Sequence, residues 1–125
     1  MWERFPDWNP QTLLDVGAGP GTVAWAVLAI YPGLNAVTLL EREEAMITLG
    51  KRLAKHSASR SIQEANWVKI DITGDWEASP HDMVTASYVL GELNEQHRND
   101  FIRKLWQVTK DTLIIIEPGT PAGFS

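Results

Sequence analysis

The sequence predicts an α/β fold: a doubly wound, Rossmann-like parallel sheet of five strands in the order 3-2-1-4-5. Short segments that are apolar on both faces alternate with helical patterns, as in a parallel sheet covered on both sides. A glycine-rich segment directly follows the first of them. The length of 125 residues, with 44% apolar and 22% charged residues, is typical of one globular domain. Right-handed crossovers then give the strand order.

The first half of the chain shows a strand–helix–strand pattern. Thr12–Val16 is a β-type segment that ends in glycines. Thr22–Tyr31 is apolar on nearly every side, which suits a buried helix, and Pro32-Gly33 ends it. Ala36–Leu40 is a second apolar segment that closes on Glu41. These three elements form the first parallel crossover of the predicted sheet.

A second helix is predicted over Glu43–His56, because its acidic residues come early and its basic residues late, as the helix dipole favours. Apolar residues at helical spacing predict its buried face. These residues are Ala45, Met46, Leu49 and Leu53.

The second half adds three strands and one helix. Ala65–Ile70 is the third strand, ending at Asp71, and Asp82–Tyr88 is the fourth, after a turn-rich stretch. Asn94 caps a helix over Glu95–Val108. Thr112–Ile116 is the fifth strand and closes on Glu117. Polar residues thus cluster after the carboxyl ends of the strands, where doubly wound folds bind ligands.

Composition excludes several classes of function. The chain has no cysteine, which excludes a disulfide framework, a thiolate metal site and a cysteine nucleophile within it. A net charge of −5 argues against a standalone nucleic-acid binder. The longest apolar segment, Val23–Ile30, is too short to span a bilayer, and the first residues lack a signal-peptide pattern. We therefore expect no membrane association. No metal site is expected either, since His56, His81 and His97 lack close partners and are predicted to lie at the surface.

The strongest motif is the glycine loop after the first strand, L-D-V-G-A-G-P-G-T over Leu14–Thr22. Its glycines allow a tight turn and a close approach of ligand to backbone. The spacing G-x-G-x-G differs from the dinucleotide fingerprint, whose third glycine would fall at Thr22, and no P-loop lysine is near. Asp15 would repel a phosphate and suits an ammonium group. These features fit S-adenosylmethionine (SAM), which has an amino-acid end and a sulfonium but no phosphate.

Acidic residues after the second and third strands extend this site. Glu41 can accept hydrogen bonds from both ribose hydroxyls, or it can be a solvated carboxylate at a helix start. Asp71 can accept from the adenine amino group, or it can be an ordinary turn residue. The predicted cofactor site consists of Asp15, Gly17, Ala18, Gly19, Gly21, Glu41, Arg42, Asp71, Ile72, Ser87 and Tyr88.

Four stretches together resemble one family of class I SAM-dependent methyltransferases. Two of them, the glycine loop and Leu40-Glu41-Arg42, are general to the superfamily. The other two, S-Y-V-L-G-E-L over 87–93 and E-P-G-T-P-A-G-F over 117–124, are similar to the methyltransferase-like proteins of the mitochondrial small ribosomal subunit and their bacterial relatives. The resemblance implies a role in small-subunit assembly or rRNA methylation, in the bacterial cytoplasm or, in a eukaryote, in mitochondria.

Family members are longer at both ends, with a preceding helical region, further strands and a metal or iron–sulfur region that contains cysteine. By this resemblance the chain is a core without the usual last two strands, and contact with rRNA or the ribosomal particle is expected through other regions. The edge strand over residues 112–116 is then expected to self-associate, unless the tail over 118–125 or the aromatic segment over 2–8 covers it.

Catalytic residues are not identified by the sequence. It lacks the Asn/Asp-Pro-Pro-Tyr/Phe motif of many amino-directed methyltransferases. Tyr88 could stack on a base or fill the core, and Glu92 could be a base or favour a helix start. Arg98, Arg103, Lys104 and Lys110 could face RNA or form a solvated helix face. Three hypotheses stay open: a methyltransferase core that is inactive as this fragment alone, a non-catalytic SAM-binding assembly module, and an NAD-type oxidoreductase.

Overall fold

The fold is one parallel sheet with helices on both faces. The computed structural model describes residues 8–87 and 93–116. Its strands pair in the order β3-β2-β1-β4-β5, and every pair is parallel, which confirms the predicted fold. The strands are β1 (Thr12–Val16), β2 (Ala36–Glu41), β3 (Asn66–Lys69), β4 (His81–Ser87) and β5 (Thr109–Ile116). The helices are α1 (Thr22–Ile30), α2 (Glu44–Ala54), α3 (Arg60–Gln63) and α4 (Glu95–Gln107).

The central strand β1 sets the position of the site. Its residue Asp15 lies opposite Leu39 of β2 on one side and Thr85 of β4 on the other. The chain leaves β1 towards β2 and returns later to β4, so the direction of strand progression reverses at β1. A crevice at such a reversal is the usual ligand site of an open α/β sheet. The glycine loop begins at its mouth.

Two apolar cores lie on opposite faces of the sheet. Leu13 belongs to the core that contains α1 and α3 residues, whereas its neighbour Leu14 belongs to the core that contains α4 residues. Both side chains are fully buried. Burying a leucine contributes ~1.5–3 kcal/mol, so adjacent residues of one strand stabilise both layers. This agrees with the prediction that the strands are apolar on both faces.

The buried face of α2 differs from the predicted one. Its buried residues are Ile47, Gly50 and Ala54. Of the predicted stripe, Met46, Leu49 and Leu53 are 37%, 40% and 44% exposed, and Ala45 is also exposed. α2 packs on the sheet through this other face because Gly50 lies against the ring of Trp67, a close approach that only a residue without a side chain permits.

Smaller differences concern ends and short elements. The sequence analysis missed α3, where the Ser59 side chain accepts a hydrogen bond from the Ile62 N–H. It placed His81 at the surface, but His81 is buried, with Nδ1 2.7 Å from the Ser79 carbonyl oxygen and Nε2 3.4 Å from Thr38 Oγ1. The predicted cap of α4 is confirmed, since Asn94 Oδ1 accepts from the His97 N–H. Within the described ranges, no helix is long and apolar enough to cross a membrane.

Candidate functional site

The glycine loop connects β1 to α1 through three residues in the left-handed backbone region. Gly17, Gly19 and Gly21 have φ values of 72°, 57° and 95°. A side chain is strained at such angles, which explains the alternating glycines. A Cβ added at Gly19 would meet no atom of residues 8–87 and 93–116 within 4 Å. Within this part of the chain the space in front of Gly19 is therefore open, as the approach of a ligand to bare backbone requires.

The loop's N–H groups are already used within the protein. Those of Gly17 and Ala18 donate to the carbonyl oxygen of Leu40, at 2.9 and 3.0 Å. The Gly19 N–H donates to Glu41 and the Gly21 N–H to the Ala18 carbonyl, while Pro20 has none. Between residues 17 and 21 the loop offers no free N–H to a phosphate. A phosphate would therefore find no donor among the N–H groups of residues 17–21.

Glu41 supports the loop from the end of β2. Its Oε1 accepts from the Gly19 N–H at 2.8 Å, and its Oε2 accepts from the Glu43 N–H at 2.7 Å. The side chain is buried, so the solvated carboxylate considered in the sequence analysis is not what the structure shows. Each oxygen of a carboxylate can accept a further hydrogen bond. Glu41 can therefore hold the loop and still accept from ligand hydroxyls.

Asp15 is fully buried beside the loop. The Thr85 hydroxyl donates to its Oδ1 at 2.8 Å, and its Oδ2 has no hydrogen-bond partner in the described structure. Burial raises the pKa of Asp15 to about 7; the Thr85 hydrogen bond lowers it and the charge of Glu41 raises it. A cationic group near Oδ2 would supply the missing partner and favour the ionised form.

Ser87 presents a second unpartnered buried oxygen. Its Oγ has no partner among the described groups, and the residue lies two positions beyond Thr85 on β4. Alternate residues of a strand share a face, so Ser87 and Thr85 lie on one side of the sheet. Two orphaned polar atoms near the carboxyl ends of β1 and β4 are consistent with a polar ligand or ordered water at the switch point.

Asp71 and its neighbours lie at the outer end of the predicted site. Asp71 is exposed, and its Oδ1 accepts from both the N–H and the hydroxyl of Thr73. These bonds lower the pKa of Asp71, the Thr73 side-chain bond contributing most. The turn interpretation thus describes the structure, and adenine binding by Asp71 stays a prediction. Ile72 is half-buried and packs on the α4 core, while exposed Arg42 contacts Glu43 at 3.3 Å.

The structure joins some predicted site residues more closely than others. Glu41 contacts the loop directly, and the Ile70 N–H donates to the Glu41 carbonyl, so Asp71 follows the adjoining strand end. Tyr88, Glu92 and the segment over 117–124 lie outside the described residues. Sequence reasoning missed Thr85, the partner of Asp15. A hydroxyl between the apolar residues Val84 and Ala86 of the fourth strand was the available signal, but its importance depends on a strand register that only the structure gives.

Basic residues of α4 were candidates for RNA contact. The Lys104 ammonium lies 4.4 Å from the centroid of the Trp76 ring, in cation–π geometry. Arg103 pairs with Asp100 at 3.5 Å on an exposed face. Both arrangements have an explanation within the domain and give no independent support for an RNA surface.

The strand order and the glycine loop together are those of the class I SAM-dependent methyltransferase fold. A glycopeptide N-methyltransferase, MtfA, superimposes with a TM-score of 0.75 at 16% identity, covering 96% of this chain and 51% of that one. Coclaurine N-methyltransferase, solved with N-methylheliamine and SAH, superimposes with a TM-score of 0.70 at 19% identity, covering 86% and 31%. At these identities the likeness shows the fold.

More specifically, the chain belongs to the family described as mitochondrial small ribosomal subunit Rsm22, whose model matches residues 1–125. It is similar to the human mitochondrial ribosome assembly protein METTL17, with 32% identity over 98% of this chain and 27% of that protein. It is also similar to the Rsm22-cox11 tandem protein 2 of Schizosaccharomyces pombe, with 28% identity over 92% of this chain and 16% of that protein. The chain therefore spans about a quarter or less of these relatives.

Proposed function

We propose that this chain is the SAM-binding core of a protein that acts in assembly of the small ribosomal subunit, with small-subunit rRNA as the substrate if it transfers methyl groups. The observation that carries the ligand proposal is the loop itself. Its N–H groups are occupied, its Gly19 face is open, and two buried carboxylates adjoin it. This environment suits the ammonium and ribose of SAM and opposes a dinucleotide phosphate. Structural neighbours with this fold were solved with SAM or SAH.

In this proposal, different residues contact different parts of the ligand. Asp15, whose Oδ2 lacks a partner, would favour the cationic amino-acid end. Glu41 would accept from the ribose hydroxyls while it keeps the Gly19 N–H. Bound SAM would supply the sulfonium methyl for transfer, and the protein would contribute mainly by positioning it.

The ribosomal part of the proposal rests on family membership. The human relative is named as a ribosome assembly protein and the family model as a component of the small subunit. Both relatives reported above have mitochondrial names, which supports a mitochondrial location if the source is a eukaryote; for a bacterial source the proposed location is the cytoplasm. A non-catalytic assembly module that binds SAM is the second candidate, favoured by the absence of a recognised catalytic motif in the sequence.

Calorimetric titration of the purified chain tests the ligand. SAM or SAH is expected to bind and NAD is not. Gly19→Val fills the open space and is expected to abolish binding. Gly19→Asn separates steric exclusion of the ligand from backbone strain, because asparagine tolerates the left-handed region while still occupying that space. Ala29→Val, on an exposed position of α1, is the matched control. NAD binding, or full SAM affinity in both Gly19 variants, contradicts the site assignment.

Transfer of a radiolabelled methyl group from SAM tests the activity. A full-length homologue that contains this core is expected to label small-subunit rRNA, whereas these 125 residues alone, with a net charge of −5, are not. Binding of SAM without transfer by the full-length protein favours the assembly module. Robust transfer by the isolated chain contradicts the expectation that it is inactive alone.

A further inference from the structure

Gly50 of α2 is a glycine that no other residue can replace without movement. A Cβ built there would lie 2.3 Å from Trp67 Cη2, 2.4 Å from Trp67 Cζ2 and 2.9 Å from the carbonyl oxygen of Pro20. Glycine is unfavourable inside a helix, so close packing is the physical reason for its use at this position. The missing side chain leaves a notch that the indole ring of Trp67 fills.

The same ring edge lies near the glycine loop. Trp67 pairs with Leu39 across the sheet and lies on the face that carries α1. A Cβ built at Gly21 would be 3.4 Å from Trp67 Cζ2 and 3.5 Å from Cη2, which is ordinary contact distance. The ring therefore packs into α2 at Gly50 and lies within reach of a single side-chain carbon at Gly21, the last glycine of the loop.

Gly21 has no side chain that could fix its own conformation. It is the N-cap of α1 with a φ of 95°, and no side chain caps this helix. Its N–H donates to the Ala18 carbonyl at 3.0 Å, which closes the loop. Glycine adopts positive and negative φ about equally readily, so neighbouring groups decide which conformation the loop keeps.

We propose that Trp67, lodged in the notch at Gly50, is a positioning residue that holds the glycine loop in its ligand-receiving conformation. This inference rests on the proposed function for the identity of the ligand, SAM. The effect of Trp67 on the loop does not depend on that identity. The ring acts through Gly21 and touches no ligand. A larger residue at position 50 collides with the ring and with the Pro20 carbonyl of the loop itself and displaces both, and loss of the ring leaves the loop without its support.

Two variants and a rescue test this. In Gly50→Ala the backbone amide signals of Gly19 and Gly21 are expected to move in NMR spectra, and SAM affinity is expected to fall by about tenfold or more. Adding Trp67→Leu to Gly50→Ala makes room for the new methyl group and is expected to recover part of the affinity. Thr48→Ala, exposed on the same helix, is the control and is expected to change neither readout.

Trp67→Leu alone covers the case in which Gly50→Ala does not fold. Here faster hydrogen exchange at the Gly21 amide is expected, with exchange in β4 unchanged. Unaltered exchange at Gly21, or unaltered loop amides in a folded Gly50→Ala chain, overturns the proposal. If the unsubstituted chain does not bind SAM, the proposed function fails, while the amide signals still decide the role of Trp67.

Discussion

At the scale of single residues, Asp15 combines burial with an incomplete set of hydrogen bonds. It is 0% exposed in the central strand, and among the described residues only its Oδ1 has a hydrogen-bond partner. Placing a carboxyl group there costs stability when it is ionised, because burial removes the charge from bulk solvent. In the proposed site, a cationic ligand beside Asp15 would compensate the buried charge and offset this cost.

Stability should therefore fall with rising pH in the unliganded chain. Because the pKa of Asp15 is raised from 3.8 to about 7, the folded chain keeps a proton between about pH 4 and pH 7 that the unfolded chain has lost. The stability cost of ionising Asp15 is absent below this pH range and complete above it. Urea unfolding at about pH 5 and about pH 8 measures it. Asp15→Asn is expected to flatten this part of the profile, and an unchanged slope contradicts the assignment.

Glu41 is expected to serve both the glycine loop and the ligand. Removing its carboxylate in Glu41→Ala takes away the proposed ribose acceptor and should weaken SAM binding by about 1–3 kcal/mol. Glu41→Gln keeps an acceptor for the Gly19 N–H and should lose less. Calorimetry on both variants measures the difference. Equal affinity in the native chain and both variants excludes Glu41 from the site.

The sequence predicted that Glu41 lies at the strand ends near the glycine loop, but it did not predict the hydrogen bonds that Glu41 makes there. Its place after β2 predicted a ligand carboxylate, and the structure adds its bonds to Gly19 and Glu43. The partner of Asp15 could not be predicted, because Thr85 lies 70 residues away and becomes a neighbour only through the β1–β4 register. Local patterns identify the residues next to a strand end, whereas cross-strand contacts depend on the assembled sheet.

At the scale of elements, α2 shows where periodicity misleads. The helix carries two candidate faces, and the predicted one has the larger apolar side chains. The structure buries the other, through Ile47, Gly50 and Ala54. Glycine contributes nothing to an apolar pattern, yet at Gly50 it permits the closest approach to β3. Strand limits, by contrast, were predicted within a few residues because glycines, prolines and acidic residues mark their ends.

Substitutions on the two faces of α2 should therefore differ in cost. Ile47→Ala removes a buried side chain and is expected to destabilise the chain by about 2–4 kcal/mol. Leu53→Gln, at a position 44% exposed, is expected to cost no more than about 0.5 kcal/mol. Chemical denaturation of both variants tests this contrast. A larger loss of stability in Leu53→Gln than in Ile47→Ala would instead support the buried face predicted from the sequence.

At the scale of the whole molecule, β5 is the outer strand of the described sheet. Leu113, Ile114, Ile115 and Ile116 are half-buried, and in the described structure only β4 pairs with their strand. Unpaired backbone beside apolar side chains favours pairing with another strand. We therefore expect this 125-residue chain to self-associate. Sedimentation at micromolar concentration tests it, and Ile115→Lys is expected to reduce association; a monomer of 14.0 kDa contradicts the expectation.

The strand order has a consequence for how the chain folds during synthesis. On the ribosome β1, α1 and β2 emerge first and can form one crossover unit, but the second edge of β1 waits for β4, some 70 residues later. Until then Asp15 has no Thr85, and the crevice has only one wall. Contacts so distant in sequence form slowly. The proposed ligand site is therefore completed only after β4 has been made, and any ligand that binds there stabilises the assembled sheet rather than its first half.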